Sequence, residues 1–303
     1  MTVLTDFQQK IAALLPYFEL RMEEPLAKHT SFRIGGPAEV MAFPKSPKEL
    51  SEILKVSKLL DCEPAILGAG TNILAPDEGM RGLVIVLKDC IDGMEQLDGT
   101  HIRAAAGVTM SRVAVYAAKL GLSGLEFAHG IPGTVGGGVF MNAGAYGGEI
   151  CQVCTQVELM DMDGNSRVVT GEEMGFSYRH SRVEEEGGIV LSAMFALTPK
   201  APEEIRETMQ DLMNRRKSSQ PLDMPSAGSA FKRPVGGYAA ALIDQAGLKG
   251  YQIGGAAVSE KHAGFVVNAG GATAKDVKQL LEAVSGKVFE RTGIRLEPEV
   301  RIW

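Results

Sequence analysis

The sequence predicts a globular chain of mixed helix and strand in two domains, or three. Three observations carry this: strand-length apolar runs interspersed with segments of helical periodicity, a length of 303 residues, and clustering of glycine into loops between them. Taken in order, Ala38 to Phe43 reads as a strand, and Ser46-Pro-Lys-Glu-Leu50 then opens a helix on which Leu50, Ile53, Leu54 and Leu60 recur at helical spacing. A short apolar run from Ala65 to Leu67 ends in Gly68-Ala-Gly-Thr-Asn72. Strands are expected at Leu83 to Leu87 and His101 to Ala105, followed by a helix from Thr109 to Leu120 that Gly121 stops. Val157 to Asp161 and Arg167 to Thr170 flank Met162-Asp-Gly-Asn165, a hairpin signal, and Ile189 to Leu197 is a further strand. Two prolines in Pro199-Lys-Ala-Pro202 precede a charged helix from Glu203 to Arg216, which suggests a domain boundary near residue 200. Beyond it, Thr273-Ala-Lys-Asp276 resembles a capping box ahead of Val277, Leu280, Leu281, Val284 and Val288 on one helical face.

Composition narrows the function. The net charge of −6 argues against a dedicated nucleic-acid binder, which needs a basic stripe. Hydrophobic residues at 45 % and charged residues at 22 % describe a globular chain. Neither a secretory signal nor an anchor is visible from Met1 to Pro16, so a cytoplasmic protein is expected. The uncharged stretch Phe127 to Gly148 is long enough for a membrane span, but its eight glycines, Pro132 and Asn142 make it a ligand loop instead. Four cysteines, Cys62, Cys90, Cys151 and Cys154, suit free thiols. The single CxxC at Cys151 and Cys154 leads into a strand expected from Val153 to Met160, where an odd separation turns the sulfurs to opposite faces. Inert thiols are expected there, with metal or redox chemistry the weaker alternative.

Glycine is the outlier, with 36 in the chain against a usual ~7 %. Gly68-Ala-Gly-Thr-Asn-Ile73 is close to a dinucleotide fingerprint, but Ile73 replaces the third glycine and Pro76 follows where a helix should continue. Successive backbone N–H groups with Thr71 and Asn72 still suit a pyrophosphate, and an ordinary tight turn is the plain alternative. Gly130-Ile-Pro-Gly-Thr-Val-Gly-Gly-Gly138 runs on to Asn142-Ala-Gly-Ala-Tyr-Gly-Gly148 without a GK[ST] ending, which excludes a Walker P-loop. Such a run lets backbone approach a large planar ligand. Gly121-Leu-Ser-Gly-Leu125 fails as a nucleophile elbow, and His29, His101, His129, His180 and His262 show no metal-ligand spacing, so no metal site is expected. Arg215-Arg-Lys217 offsets a helix dipole or, with Lys232 and Arg233, forms a local basic patch for an anionic small ligand.

Read together, these stretches resemble the UDP-N-acetylenolpyruvoylglucosamine reductase (MurB) family. The likeness runs from about residue 25 to the end, through His29-Thr-Ser-Phe-Arg-Ile-Gly-Gly36, Gly68 to Asn72, Gly130 to Glu149, Tyr178-Arg-His-Ser181, Ser226-Ala-Gly-Ser-Ala-Phe-Lys232, Ala246-Gly-Leu-Lys-Gly250 and Leu296-Glu-Pro-Glu-Val-Arg301. The resemblance implies an N-terminal helical segment (1–24) and an FAD-binding domain of vanillyl-alcohol-oxidase type (25–199), made of two α+β subdomains split near 90–100. A C-terminal α+β substrate-binding domain (200–303) would follow.

It also implies non-covalent FAD, held by Gly68, Ala69, Gly70, Thr71, Asn72, Gly130, Ile131, Pro132, Gly133, Gly136, Gly137, Asn142, Ala143 and Gly144. NADPH would reduce the flavin, and hydride would then pass to the enolpyruvyl group of a UDP-linked amino sugar in peptidoglycan precursor synthesis, giving UDP-N-acetylmuramate. By the same resemblance Arg179 and Glu299 would stabilise an enol-like intermediate and Ser229 would donate a proton to carbon. A carboxylate suits that place only if protonated or acting through hydrogen bonds. Tyr178, Arg215, Lys217, Gln220, Lys232 and Arg233 are the candidates for the uridine nucleotide. The sequence departs from the family pattern at Gly264, where asparagine is frequent, and at Gly138, where alanine is frequent. The rivals are an oxidase on the same scaffold, with His29 or His129 tethering the flavin, and a nucleotide-binding module without catalysis.

Overall fold

The computed structural model describes residues 4–303; Met1, Thr2 and Val3 of the N-terminal segment lie outside the described residues. The chain forms two compact units and passes between them repeatedly. The first holds residues up to 22, 39–69 and 82–215; the second holds 23–38, 70–81 and 216–303. This division differs from the boundary expected near residue 200: the chain leaves the first unit within the helix Pro202–Ser219, and two early segments join the C-terminal part.

The first unit has two cores. Around one, strands Leu20–Pro25, Pro37–Ala42, Met80–Val86 and Ala65–Leu67 lie in that order in a sheet, the last two parallel with Ile66 opposite Ile85. Helices Asp6–Leu14 and Pro47–Leu59 contribute Ile11, Leu50, Ile53 and Leu54, none of them exposed. Thr5 caps the first helix by accepting from the Gln8 N–H, and Ser46 caps the second by accepting from Glu49. The expected N-terminal helical segment therefore gives way to a strand at Leu20.

Around the other core, a five-stranded antiparallel sheet runs Ser166–Thr170, Cys154–Met160, Ile189–Ala196, His101–Ala105, Met94–Gln96. The hairpin expected at 162–165 forms, with Val157 opposite Val169 and Gly164 at φ +83°. Helix Met110–Lys119 buries Met110, Val113, Ala114, Ala117 and Ala118, a stripe at helical spacing, and Gly121 at φ +68° lets the chain leave it. The expected glycine loop from 127 to 148 is not one continuous loop. It contains the short helices Glu126–Gly130 and Val135–Phe140, the latter capped by Thr134, whose Oγ1 accepts from the Gly137 N–H. Glycine is a poor helix former, so this helix owes its existence to packing: a Cβ on Gly136 would lie 3.1 Å from Ala106 Cβ.

The CxxC also departs from expectation. Cys151 sits in the helical turn Ile150–Gln152 rather than leading straight into the strand, and Cys154 begins the strand, buried. All four cysteines are free, and burial pushes the Cys154 thiol up to about 12. Since the thiolate is the nucleophile, alkylation at pH 8 is expected to label Cys151 first and leave Cys154 intact in the folded protein. Peptide mass spectrometry checks the order; early labelling of Cys154 would contradict its burial.

The second unit is built on the strands Ser226–Ser229, Phe265–Asn268, Ala256–Val258 and Gln252–Ile253, and on the helix Ala274–Thr292. The capping box forms as expected, Thr273 Oγ1 accepting from Asp276 N and Asp276 Oδ2 from Thr273 N. Val277, Leu280, Leu281, Val284 and Val288 are all buried on one face, with Phe32, Ile34 and Leu74 from the two early segments in the same core. Leu280→Ala is expected to cost about 2–5 kcal/mol, read as a lower urea midpoint with unchanged slope.

Candidate active site

Residues 68–72 follow the strand Ala65–Leu67 and carry the chain from the first unit into the second. In the first unit this loop lies against the second glycine run: a Cβ on Gly68 would fall 2.8 Å from Thr134 Oγ1. Gly70, in the second unit, has φ +61°, and its carbonyl accepts from Ser31 N at 3.0 Å and Ser31 Oγ at 3.3 Å. Among the described residues, the N–H groups of Gly68, Ala69 and Gly70 have no protein acceptor, and neither do those of Gly133 and Thr134. By contrast, Gly136 N is committed to Ala106 O at 2.9 Å and Ile131 N to Ala128 O at 3.1 Å.

Unspent backbone donors on glycine-rich turns are a chemical match for a pyrophosphate. His129 adds to the fit, since its Nδ1 is buried with no partner among the described residues, and burial lowers its pKa, which favours the neutral ring. The residues present therefore fit a dinucleotide cofactor such as FAD.

Arg179 belongs to the first unit. It lies in a four-residue turn closed by hydrogen bonds between Ser177 and His180, N to O in both directions at 3.1 and 3.2 Å. At φ +56° Arg179 is in the left-handed region, unfavourable for a side chain with a Cβ, and its guanidinium lies 5.1 Å from the Tyr178 ring centroid.

Ser229 and Glu299 come together in the second unit. Glu299 N donates to Ala230 O at 2.9 Å, Lys232 N donates to Glu297 O at 2.9 Å, and Phe231 pairs with Pro298 in antiparallel fashion. Ser229 is exposed at the end of its strand, after Gly228 at φ +78°. Behind Glu299 runs a parallel pair, Arg301–Ile302 against Ile73–Leu74, and Asn72 Nδ2 donates to the Glu299 carbonyl at 3.2 Å. Sequence reasoning assigned Asn72 to the cofactor loop and missed this long-range bond, for which no local pattern gives a signal.

Of the basic candidates, Arg215 pairs with Asp211 at 2.8 Å and Lys232 with Glu297 at 3.7 Å, while Arg233 stacks over Tyr238 at 4.5 Å. Lys217 contributes its carbonyl, which accepts from Lys261 Nζ at 2.6 Å. Gln220 has a buried Oε1 with no partner among the described residues. The two unusual glycines are readily placed: a Cβ on Gly138 would meet the flexible Met110 Sδ at 2.8 Å, and the Gly264 carbonyl accepts from Ala230 N, directly behind Ser229. Among the described residues no cluster of metal-ligating side chains occurs, and no helix is long and apolar enough to cross a membrane.

Known proteins match the chain over nearly its whole length. Residues 38–170 match the family model of an FAD binding domain, and residues 220–303 match that of the UDP-N-acetylenolpyruvoylglucosamine reductase C-terminal domain. The chain is 47 % identical to the UDP-N-acetylenolpyruvoylglucosamine reductase of Agathobacter rectalis, over 98 % of each chain. It is 43 % identical to that of Streptococcus pneumoniae, over 97 % of each. The chain belongs to the UDP-N-acetylenolpyruvoylglucosamine reductase (MurB) family.

The crystal structure of the family member from Thermus caldophilus aligns over 94 % of this chain and 98 % of that one, with a TM-score of 0.77 and 36 % identity. An alkyldihydroxyacetonephosphate synthase, 14 % identical with a TM-score of 0.50 over 66 % of this chain, shares the fold alone. The fold class is thus the α+β one expected, an FAD-binding domain followed by the family's C-terminal domain.

Proposed function

We propose that this protein is the FAD-dependent reductase that converts UDP-N-acetyl-3-O-(1-carboxyvinyl)glucosamine to UDP-N-acetylmuramate in peptidoglycan precursor synthesis. The observation that carries it is the match of two family models in order along the chain, with near-complete coverage of reductases of that name. When bound, FAD would supply the hydride chemistry, with NADPH as the reductant and the methylene carbon of the enolpyruvyl group as the acceptor.

The chain's own residues manage the charge and the proton. Hydride addition turns the methylene into a methyl group and leaves an electron pair on the adjacent carbon, delocalised into its carboxylate. We assign Arg179 and Glu299 to that developing charge, Arg179 as a permanent cation and Glu299 as a hydrogen-bonding partner. Ser229 Oγ gives its proton to the carbanionic carbon, a feasible step for a weak acid because the carbanion is the stronger base, and water returns the proton to the serine oxygen. Exposure of Ser229, next to Ala230 whose carbonyl accepts from Glu299 N, supports this role. The unspent N–H groups of Gly68, Ala69 and Gly70 would hold the pyrophosphate, with the 130–144 segment alongside. Tyr178, Arg215, Lys217, Gln220, Lys232 and Arg233 are assigned to the uridine nucleotide, Gln220 supported by its unmet buried acceptor. We place the reaction in the cytoplasm.

An anaerobic visible spectrum tests the whole reading. Flavin bands should bleach with NADPH and return on adding the enolpyruvyl nucleotide. A colourless protein that takes up no FAD would overturn it, and reoxidation by oxygen alone would make the protein an oxidase.

A further inference from the structure

The Asn142 side chain is almost wholly buried, 1 % exposed, in a residue held at φ +41°. Its amide is spent on protein: Oδ1 accepts from Cys151 N at 2.9 Å, while Nδ2 donates to Glu149 Oε2 at 3.1 Å and to the Ser177 carbonyl at 3.0 Å. A primary amide has two N–H donors, and both are engaged. The side chain therefore has no donor left for a cofactor, although it lies in the glycine run where one is expected.

Ser177 is the first residue of the turn that carries Tyr178 and Arg179. Two residues beyond Arg179, the fully buried Ser181 donates its Oγ to the Phe140 carbonyl at 2.8 Å. Both ends of the turn are thus tied to one short stretch, residues 140–142 at the end of the helix Val135–Phe140. Between the ties Arg179 holds a left-handed backbone, a strained conformation for an arginine that persists only where surrounding bonds over-determine it.

We propose that Asn142, with Ser181, is a positioning residue for Arg179: the pair fixes the strained turn so that the guanidinium is aimed before substrate arrives. This rests on the assignment of Arg179 to the developing negative charge. It separates two jobs in one loop, backbone toward cofactor and side chain toward the catalytic arginine.

The test is a double-mutant cycle on the FAD-loaded enzyme. Asn142→Ala, Ser181→Ala and Arg179→Ala are made singly, and each anchor variant is combined with Arg179→Ala. Flavin content, reduction by NADPH and reoxidation by the enolpyruvyl nucleotide are measured for each. Ser181→Ala alone should keep its flavin and its reduction rate but lose about 100-fold in reoxidation, the scale of a misplacement near 1 Å, and Asn142→Ala should lose the same factor in reoxidation per bound flavin. In the Arg179→Ala background the same change should cost less than about twofold, because the group it positions is already gone.

Equal losses in both backgrounds would overturn the proposal, as would flavin loss that accounts for the defect. If Arg179→Ala itself reoxidises normally, the assignment of Arg179 fails and the proposal with it. Should Asn142→Ala not fold, Ser181→Ala carries the cycle alone.

Discussion

Ser229→Ala is expected to leave bleaching of the flavin by NADPH nearly unchanged while slowing its reoxidation by the enolpyruvyl nucleotide by about 10²–10⁴, the usual contribution of a positioned acid. The asymmetry follows from where a proton is needed. Flavin reduction transfers hydride without involving substrate carbon, so the loss of one exposed hydroxyl at the end of the strand Ser226–Ser229 has nothing to act on. Reoxidation leaves a carbanion that must be protonated, and alanine offers no proton. Folding should not intervene, since an exposed serine can lose its hydroxyl within about 0.5 kcal/mol. Stopped-flow traces of the two half-reactions decide the matter, and equal loss in both would remove Ser229 from the chemistry.

Gly70→Ala is expected to destabilise the second unit by about 3 kcal/mol or more and to yield protein that does not retain FAD. A left-handed backbone costs an alanine about 1–2 kcal/mol. The added Cβ would also lie 2.1 Å from the His29 carbonyl oxygen and 2.9 Å from Thr30 Cα, both main-chain atoms without a rotamer to move. The loop cannot slide to make room without breaking the bonds from Ser31 to the Gly70 carbonyl. Gly286→Ala is the control: that glycine lies in the helix Ala274–Thr292 with nothing within 4 Å of its would-be Cβ. It should gain roughly 0.5–1 kcal/mol and stay yellow. A thermal melt with flavin fluorescence reports both properties, and a Gly70→Ala protein that melts and binds like the parent would refute the close approach.

What could be read in the sequence was local. The stripe from Val277 to Val288 and the cap at Thr273 are set by residues three or four apart, so periodicity alone exposes them. The helix Val135–Phe140 was hidden because three consecutive glycines argue against helix, while the packing that overrides them, against Ala106 and Met110, comes from elsewhere in the chain. The helical turn at Cys151 is too short to carry a period. Within the site, family motifs pointed to Arg179, Ser229 and Glu299, yet the ties from Asn142 to Ser177 and from Asn72 to Glu299 are polar contacts between distant segments. Such contacts leave no trace in composition or spacing. The recruitment of residues 23–38 and 70–81 into the second unit escaped for the same reason.

The pairing of Arg301–Ile302 with Ile73–Leu74 has a bearing on how the protein is made. Its partners are more than 200 residues apart, and Arg301 N reaches back to the Asn72 carbonyl at 3.0 Å. At roughly 5–20 residues per second, the ribosome needs on the order of 10 s or longer to supply that strand after residue 73 emerges. Throughout that interval the first unit can begin to fold, but residues 70–81 wait without their edge partner. The strand Ile73–Leu74 is therefore completed only at the end of biosynthesis, and a ribosome stalled short of residue 300 would hold a chain in which that strand still lacks this partner.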